Sequence, residues 1–297
     1  MASMEVLLWK RYGRLGNRLL TFGNLVALAM SRGWQVHNLS FGEYADSFHH
    51  FRGRSVASWT PSGNLGVLGA FTNTRIGFKV AARMLGSAKF NRILRFQGSI
   101  FEAPDEHELT VADLARQGLQ DGHSWLVWTA WNLKFDELRE QWRGKLVDLF
   151  QPAVHVVAAI DDRLRHVPRG KILVGIHVRR GDYAEYLGGR YYFDHAQYRE
   201  MMLQVVKLLS PRQVHFIVAS DERIPEQLVS GMSSTLLDGT EIEDLYALAR
   251  CRIVIGPPST YSEWAAFYGG GDLLVFTGQP PQSLDLKGEP FFAEHTA

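Results

Sequence analysis

With 297 residues, a net charge of +1 at pH 7, 46% hydrophobic and 21% charged residues, the chain can bury a sizeable core. That balance excludes a disordered polymer and gives no global reason to bind nucleic acid. No apolar run approaches transmembrane length, the longest being residues 25–30, and the single cysteine, Cys251, rules out an internal disulfide and suits a reducing, cytoplasmic setting.

In chain order, a strand pattern at 5–9 stands where a signal peptide would otherwise sit. The turn Gly13-Arg14-Leu15-Gly16-Asn17 leads into an amphipathic helix over 18–32 and a strand over 34–38. A helical pattern follows at 75–97, then a strand at 126–131 and helices at 135–149 and 152–167, the last begun by Pro152. From there strands at 172–178, 214–219, 252–255 and 273–276 alternate with helices at 194–209, 241–249 and 261–268. Such alternation predicts an α/β protein. The restart near residue 168 predicts two Rossmann-like domains, 1–160 and 161–297, facing a central cleft.

The sharpest chemical signal is where the apolar run 172–178 ends in Arg179, Arg180, Gly181 and Asp182. Parallel sheets bind ligands beyond the carboxyl ends of their strands. Two guanidiniums there, beside a glycine that permits close backbone approach, suit a diphosphate, whose oxygens match the planar fork. The plainer alternative pairs one arginine with Asp182 and leaves the other in water.

Three further turns sit at strand ends. Gly13, Gly16 and Asn17 precede a helix, where backbone N–H groups face an anion or sugar oxygen, or where Asn17 is merely a cap. Asp221 closes the strand at 214–219, placed to bond a ribose or base edge or to cap the next helix. The segment 257–264 opens a helix, with Thr260 and Glu263 at capping-box spacing and Ser259 and Ser262 beside them. The stretch 47–100 holds eight basic and no acidic residues, so a basic helix at 75–97 could touch an anionic membrane, or simply form a solvated face. His49-His50, with His37, Glu43 and Asp46 nearby, lacks metal-ligand spacing, and no Asp-x-Asp motif occurs, so no metal is expected. Glu43 and Asp46 are candidates for an acceptor-facing base. Cys251 reads as a small buried thiol.

The run from His177 to Tyr183 resembles the signature of the bacterial and animal α-1,2-fucosyltransferases, glycosyltransferase family 11, with related forms in α-1,6- and protein O-fucosyltransferases. The resemblance implies a GT-B architecture and assigns Arg179 or Arg180 to the pyrophosphate of GDP-fucose. His177 and Asp182 then belong to the substrate site. The loop at Gly13, Gly16 and Asn17 follows the superfamily pattern and is implied to line the sugar side, although Arg18 replaces the usual glutamine. The Ser220-Asp221 step is implied to contact the guanosine part. Ser259, Thr260, Ser262 and Trp264 match a hydroxyl-rich stretch of the family, with Pro258 for an asparagine and Glu263 for a tryptophan. Residues 244–251 also follow the family pattern. What the resemblance implies is metal-independent, inverting transfer of L-fucose from GDP-β-L-fucose to a galactose 2-hydroxyl of a glycan or glycolipid. No cofactor is expected besides the donor. Another linkage, another GDP-sugar or a non-catalytic sugar-binding protein are the alternatives.

Overall fold

A computed structural model describes residues 4–8, 11–54, 56–60, 99–101, 108–116, 125–129, 132–284 and 286. Two compact units divide the chain, Met1–Ala153 and Val154–Ala297.

The first unit is built on short strands. β1 (Glu5–Leu8) leads to α1 (Leu15–Arg32) and β2 (Gln35–Asn38), followed by β3 (Ala57–Trp59), β4 (Ser99–Phe101), β5 (Leu109–Thr110) and α2 (Val111–Arg116). Then come β6 (Trp125–Trp128), β7 (Leu133–Lys134), α3 (Asp136–Gln141) and α4 (Arg143–Leu149). The main sheet runs β3-β2-β1-β6-β4, parallel except for β3, and β5 pairs with β7. The helix expected over 135–149 is broken at Trp142.

Helix α1 is not amphipathic, as its pattern had implied, because residues 19–29 are buried without interruption. Its one buried amide, Asn24, donates to the Leu133 carbonyl at 3.0 Å, which offsets part of the cost of burying it. Phe22 on this helix meets Phe41, Phe51 and Phe150, and Phe48 completes the cluster with ring centroids 5.2–6.2 Å apart. Such tilted and edge-on pairs add to the hydrophobic term of a core. Gly33 ends the helix in the left-handed conformation at φ 68°.

The second unit opens with α5 (Val154–Leu164) and β8 (Ile172–Val178), then α6 (His195–Leu209), β9 (Val214–Ser220), α7 (Glu226–Val229) and β10 (Ser234–Leu236). α8 (Glu241–Leu248), β11 (Ile253–Gly256), α9 (Thr260–Gly269) and β12 (Asp272–Val275) complete it. Its sheet is wholly parallel in the order β10-β9-β8-β11-β12. From β8 the chain winds outward to β10, then crosses back to β11. The topological switch therefore falls between β8 and β11, beside the end of β8.

Val174, Ile176 and Val178 pack with Tyr198, Met201 and Met202 on one side of this sheet. On the other, a Cβ at Gly175 would lie 2.9 Å from Leu248 and 3.2 Å from the Cys251 sulfur. Glycine in mid-strand thus lets α8 approach the sheet closely. Cys251 is fully buried, and burial pushes its thiol pKa up, as suits an inert structural thiol. The helix at 75–97 and the membrane contact assigned to it lie outside the described residues. Among those described, no helix is long and apolar enough to cross a membrane.

Candidate functional site

Three strand ends of the second unit are tied to one another around the arginine turn. Asp221, just past β9, accepts from the backbone N–H of Arg180 at 3.0 Å and of Gly181 at 3.4 Å. A Cβ at Gly181 would lie 2.9 Å from that carboxylate, so the approach requires glycine. Asp221 is therefore not a helix cap, since α7 begins five residues later behind Pro225. Both alternatives read from the sequence leave out this work of pinning the β8 turn. From β11, the Pro258 carbonyl accepts the Tyr183 hydroxyl at 2.7 Å.

The two arginines have different surroundings. Arg179 pairs with the exposed Asp182 at 2.7 Å and lies 3.4 Å from Asp221. Its backbone N–H donates to the Tyr198 hydroxyl at 3.4 Å. Arg180 is enclosed on three sides: Nε faces Glu222 at 2.7 Å, Nη2 donates to the Tyr192 hydroxyl at 2.5 Å and Nη1 to the Phe193 carbonyl at 3.3 Å. Its guanidinium also lies 4.6 Å from the Tyr192 ring centre. The plainer alternative, with one arginine left in water, does not hold, because Glu222 pairs with Arg180. Glu222 also lies 3.0 Å from His195 Nε2.

His177 and Ser262 are both buried beneath the arginine turn. Ser262 is fully buried, and its hydroxyl pairs with His177 Nδ1 at 2.8 Å. The His177 ring stacks on Tyr261 at 4.8 Å. Burial, then the nearby Arg179 charge, depress the His177 pKa to about 4 against the pull of Asp221, so the ring is neutral at pH 7. Gly256 makes this junction possible, since a Cβ there would meet His177 at 2.9 Å and the Ser262 hydroxyl at 3.0 Å. These two residues support the turn from beneath.

The cap of α9 is Ser259, whose hydroxyl accepts from the Tyr261 N–H at 3.2 Å. Thr260 is the first helical residue, so the cap falls one residue before the Thr260 expected to open a capping box over 260–263. The backbone N–H of Glu263 donates to the Ser259 carbonyl at 3.0 Å. The positive end of a ten-residue helix consequently starts beside the carbonyl that holds Tyr183.

In the first unit, Gly13, Gly16 and Asn17 form a separate turn. Gly13 has φ 57°, and a Cβ there would lie 2.0 Å from Asn17 Nδ2. The helix cap is Arg14, so Asn17 lies inside the first turn and is not the cap. Arg18 donates to the Gly13 carbonyl at 3.2 Å and to the Ser40 carbonyl at 3.2 Å, pairs with Glu43 and lies over Tyr44. Glu43 is thus the counter-ion of Arg18, and Asp46 accepts the Gly53 N–H at 2.8 Å. Neither carboxylate is a free base. His37 is fully buried on Ser58 at 2.9 Å, apart from the exposed His49 and His50. Among the described residues no three His, Cys, Asp or Glu side chains are grouped to hold a metal.

A wholly parallel sheet with the arginine turn at its switch point makes the second unit a doubly wound α/β domain, a class that binds ligands at this edge. Together the units give a GT-B-like fold. Structures with this fold include NodZ of Bradyrhizobium, an alpha-1,6-fucosyltransferase soaked with GDP-fucose, at 17% identity and TM-score 0.57, covering 97% of this chain and all of that one. A mutant of Arabidopsis thaliana FUT1 in complex with GDP is similar at 14% identity and TM-score 0.56, over 94% of this chain and 72% of that one. POFUT1 in complex with GDP is similar at 11% identity and TM-score 0.53, over 95% and 98%. No curated protein matches the chain. Residues 155–283, within the second unit, match the model of glycosyl transferase family 11.

Proposed function

We propose that the chain transfers L-fucose from GDP-β-L-fucose to a glycan hydroxyl with inversion, the acceptor position being O2 of a galactose. The observation that carries this reading is the Arg179 turn at the switch point of a unit that matches glycosyl transferase family 11. The fold shared with fucosyltransferases crystallised with GDP or GDP-fucose supports it.

In the reaction, the acceptor oxygen attacks fucose C1, the bond from C1 to the β-phosphate oxygen breaks, and GDP leaves with the electron pair. The acceptor proton passes to a base that the described residues do not single out. Of the two arginines we assign the pyrophosphate to Arg179. Its partner Asp182 is exposed, and an exposed pair is weak enough to exchange for a phosphate. Arg180 is already paired with Glu222 and donates to Tyr192 and Phe193, and its role is to hold the turn. Asp221 and the start of α9 at Ser259 and Thr260 complete the donor side, with no metal in the scheme. Arg179 and the helix end then stabilise the negative charge that grows on GDP.

The test is GDP release from GDP-fucose with and without β-galactosides, followed by product linkage analysis by NMR. Galactoside-dependent GDP release with a new α-1,2 linkage is expected. Failure to bind GDP or GDP-fucose would overturn the reading. An α-1,6 product is the second reading, favoured by the likeness to NodZ.

A further inference from the structure

Beyond Arg179 the chain builds a column of stacked groups that the donor does not account for. The Arg179 guanidinium lies 5.5 Å from the centre of the Tyr183 ring, and that ring lies 5.3 Å from Tyr186 at an angle of 35°. The column is fixed at its base, where the Tyr183 hydroxyl is held by the Pro258 carbonyl. It is open at its tip, where Tyr186 is 52% and Leu187 61% exposed.

The backbone enforces that exposure. Leu187 has φ 49° and ψ 40°, the left-handed region that a leucine rarely enters, and Gly188 and Gly189 continue at φ 64° and 77°. A Cβ at Gly189 would lie 3.1 Å from the Ala184 carbonyl, so the loop is also tightly folded on itself. Three successive left-handed residues hold two large apolar side chains in water, against both backbone preference and the hydrophobic effect. Strain of this kind, continuous with the site of a charged leaving group, fits a surface completed by a bound ligand.

We infer that Tyr186 and Leu187 form a platform for the apolar face of a β-galactoside acceptor, an inference that rests on the transfer reading above. Galactopyranose has an axial O4, which leaves the C–H groups at C3, C4 and C5 together on one face. Those hydrogens carry partial positive charge and are attracted to the negative face of an aromatic ring. A galactoside lying on Tyr186 sits at the far end of this column, with the Tyr186 and Tyr183 rings between it and Arg179.

Titrating lactose into the full chain, with and without saturating GDP, tests this by binding alone. Lactose is expected to bind wild type, and Tyr186→Ala to weaken it about tenfold or more. Tyr186→Phe keeps the ring and should stay within about twofold. Leu187→Gly should weaken lactose while leaving the melting temperature unchanged or higher, because glycine accepts the left-handed backbone. GDP affinity should move less than about twofold in all three variants, since none touches the guanidinium pairs. Unchanged lactose binding in Tyr186→Ala overturns the platform, and so does a wild type that binds GDP but not lactose. Loss of GDP affinity alone reassigns Tyr186 to the nucleotide and also overturns it. A chain that binds no GDP defeats the transfer reading, whereas the lactose titration, which needs no turnover, still decides the platform.

Discussion

Two glycine-bearing turns, one in each unit, are closed in opposite ways. The turn at Gly13 is finished by its own neighbours: Asn17 fills the space beside it and Arg18 folds back onto its carbonyl. The turn at Gly181 is held from far along the chain, by Asp221 on its N–H groups and by Pro258 on Tyr183. The first turn is closed chiefly by local residues, with one tie through Arg18 to the chain past β2. A turn closed from neighbouring strand ends fixes its arginines to the edge where the sheet order reverses, which is where charge can be delivered to a ligand.

The largest expected effect separates the two arginines of the second turn. Arg179→Ala removes a charge-assisted contact worth about 1.5–4 kcal/mol as GDP departs, a loss of about ten- to a thousandfold in turnover. Its melting temperature should fall less than that of Arg180→Ala, because Asp221 loses a cation but keeps the backbone N–H groups of Arg180 and Gly181, and lysine should rescue only in part. Arg180→Ala leaves Glu222 without its cation, and it should cost about 2–3 kcal/mol of stability by urea unfolding. Equal turnover losses at constant stability in both variants would erase the distinction drawn between them.

His177 gives the second turn a pH dependence. Its folded pKa of about 4 lies below the ordinary value of 6.5. Between those values the unfolded chain binds a proton that the folded chain refuses. Stability is therefore complete above pH 6.5 and falls by about 3 kcal/mol as the pH drops toward 4. His177→Phe should remove that slope, read as the difference from wild type in urea unfolding at pH 7 and pH 4. Asp244, raised to about 6 by burial, titrates in the opposite sense in both proteins and cancels in the difference.

A smaller cost is expected at the local turn. Gly13→Ala meets a left-handed backbone and the Asn17 amide together, so unfolding should register a loss of about 1–3 kcal/mol. Smallest of all is chelation. With arginine and a helix end carrying the charge, EDTA should change turnover by less than about twofold. Loss of activity restored by manganese would contradict that scheme.

How much could be read from the chain itself differs between the units for the same physical reason. Strand β8 lies over 172–178 as its pattern indicated, and β9 runs only one residue past its reading, because seven-residue apolar runs buried on both faces give an unambiguous signal. In the first unit β3, β4, β5 and β7 are two or three residues long, too short for any period to register. Helix α1 misled because a helix buried all round still shows some polar positions. At the site, the arginines and the glycines were legible from type and spacing. The duties of Asp221, Glu222 and Ser262 were not, since each depends on a partner brought in by another strand. Ser259 took the cap from Thr260 because two adjacent hydroxyls compete for one role, and sequence alone does not rank them.

The phenylalanine cluster of the first unit bears on how the protein is made. Phe22, Phe41, Phe48 and Phe51 close around Phe150, and the same place is fastened by His49 N–H on the Gln151 carbonyl and Ala153 N–H on the Ser47 carbonyl. A nascent chain emerging from the ribosome cannot complete this core until almost the whole unit has been translated. Its four earlier rings stay exposed through that interval, in reach of chaperones. In the second unit β8 and β9 can pair once residue 220 emerges, so its sheet starts to form while much of it is still being synthesised.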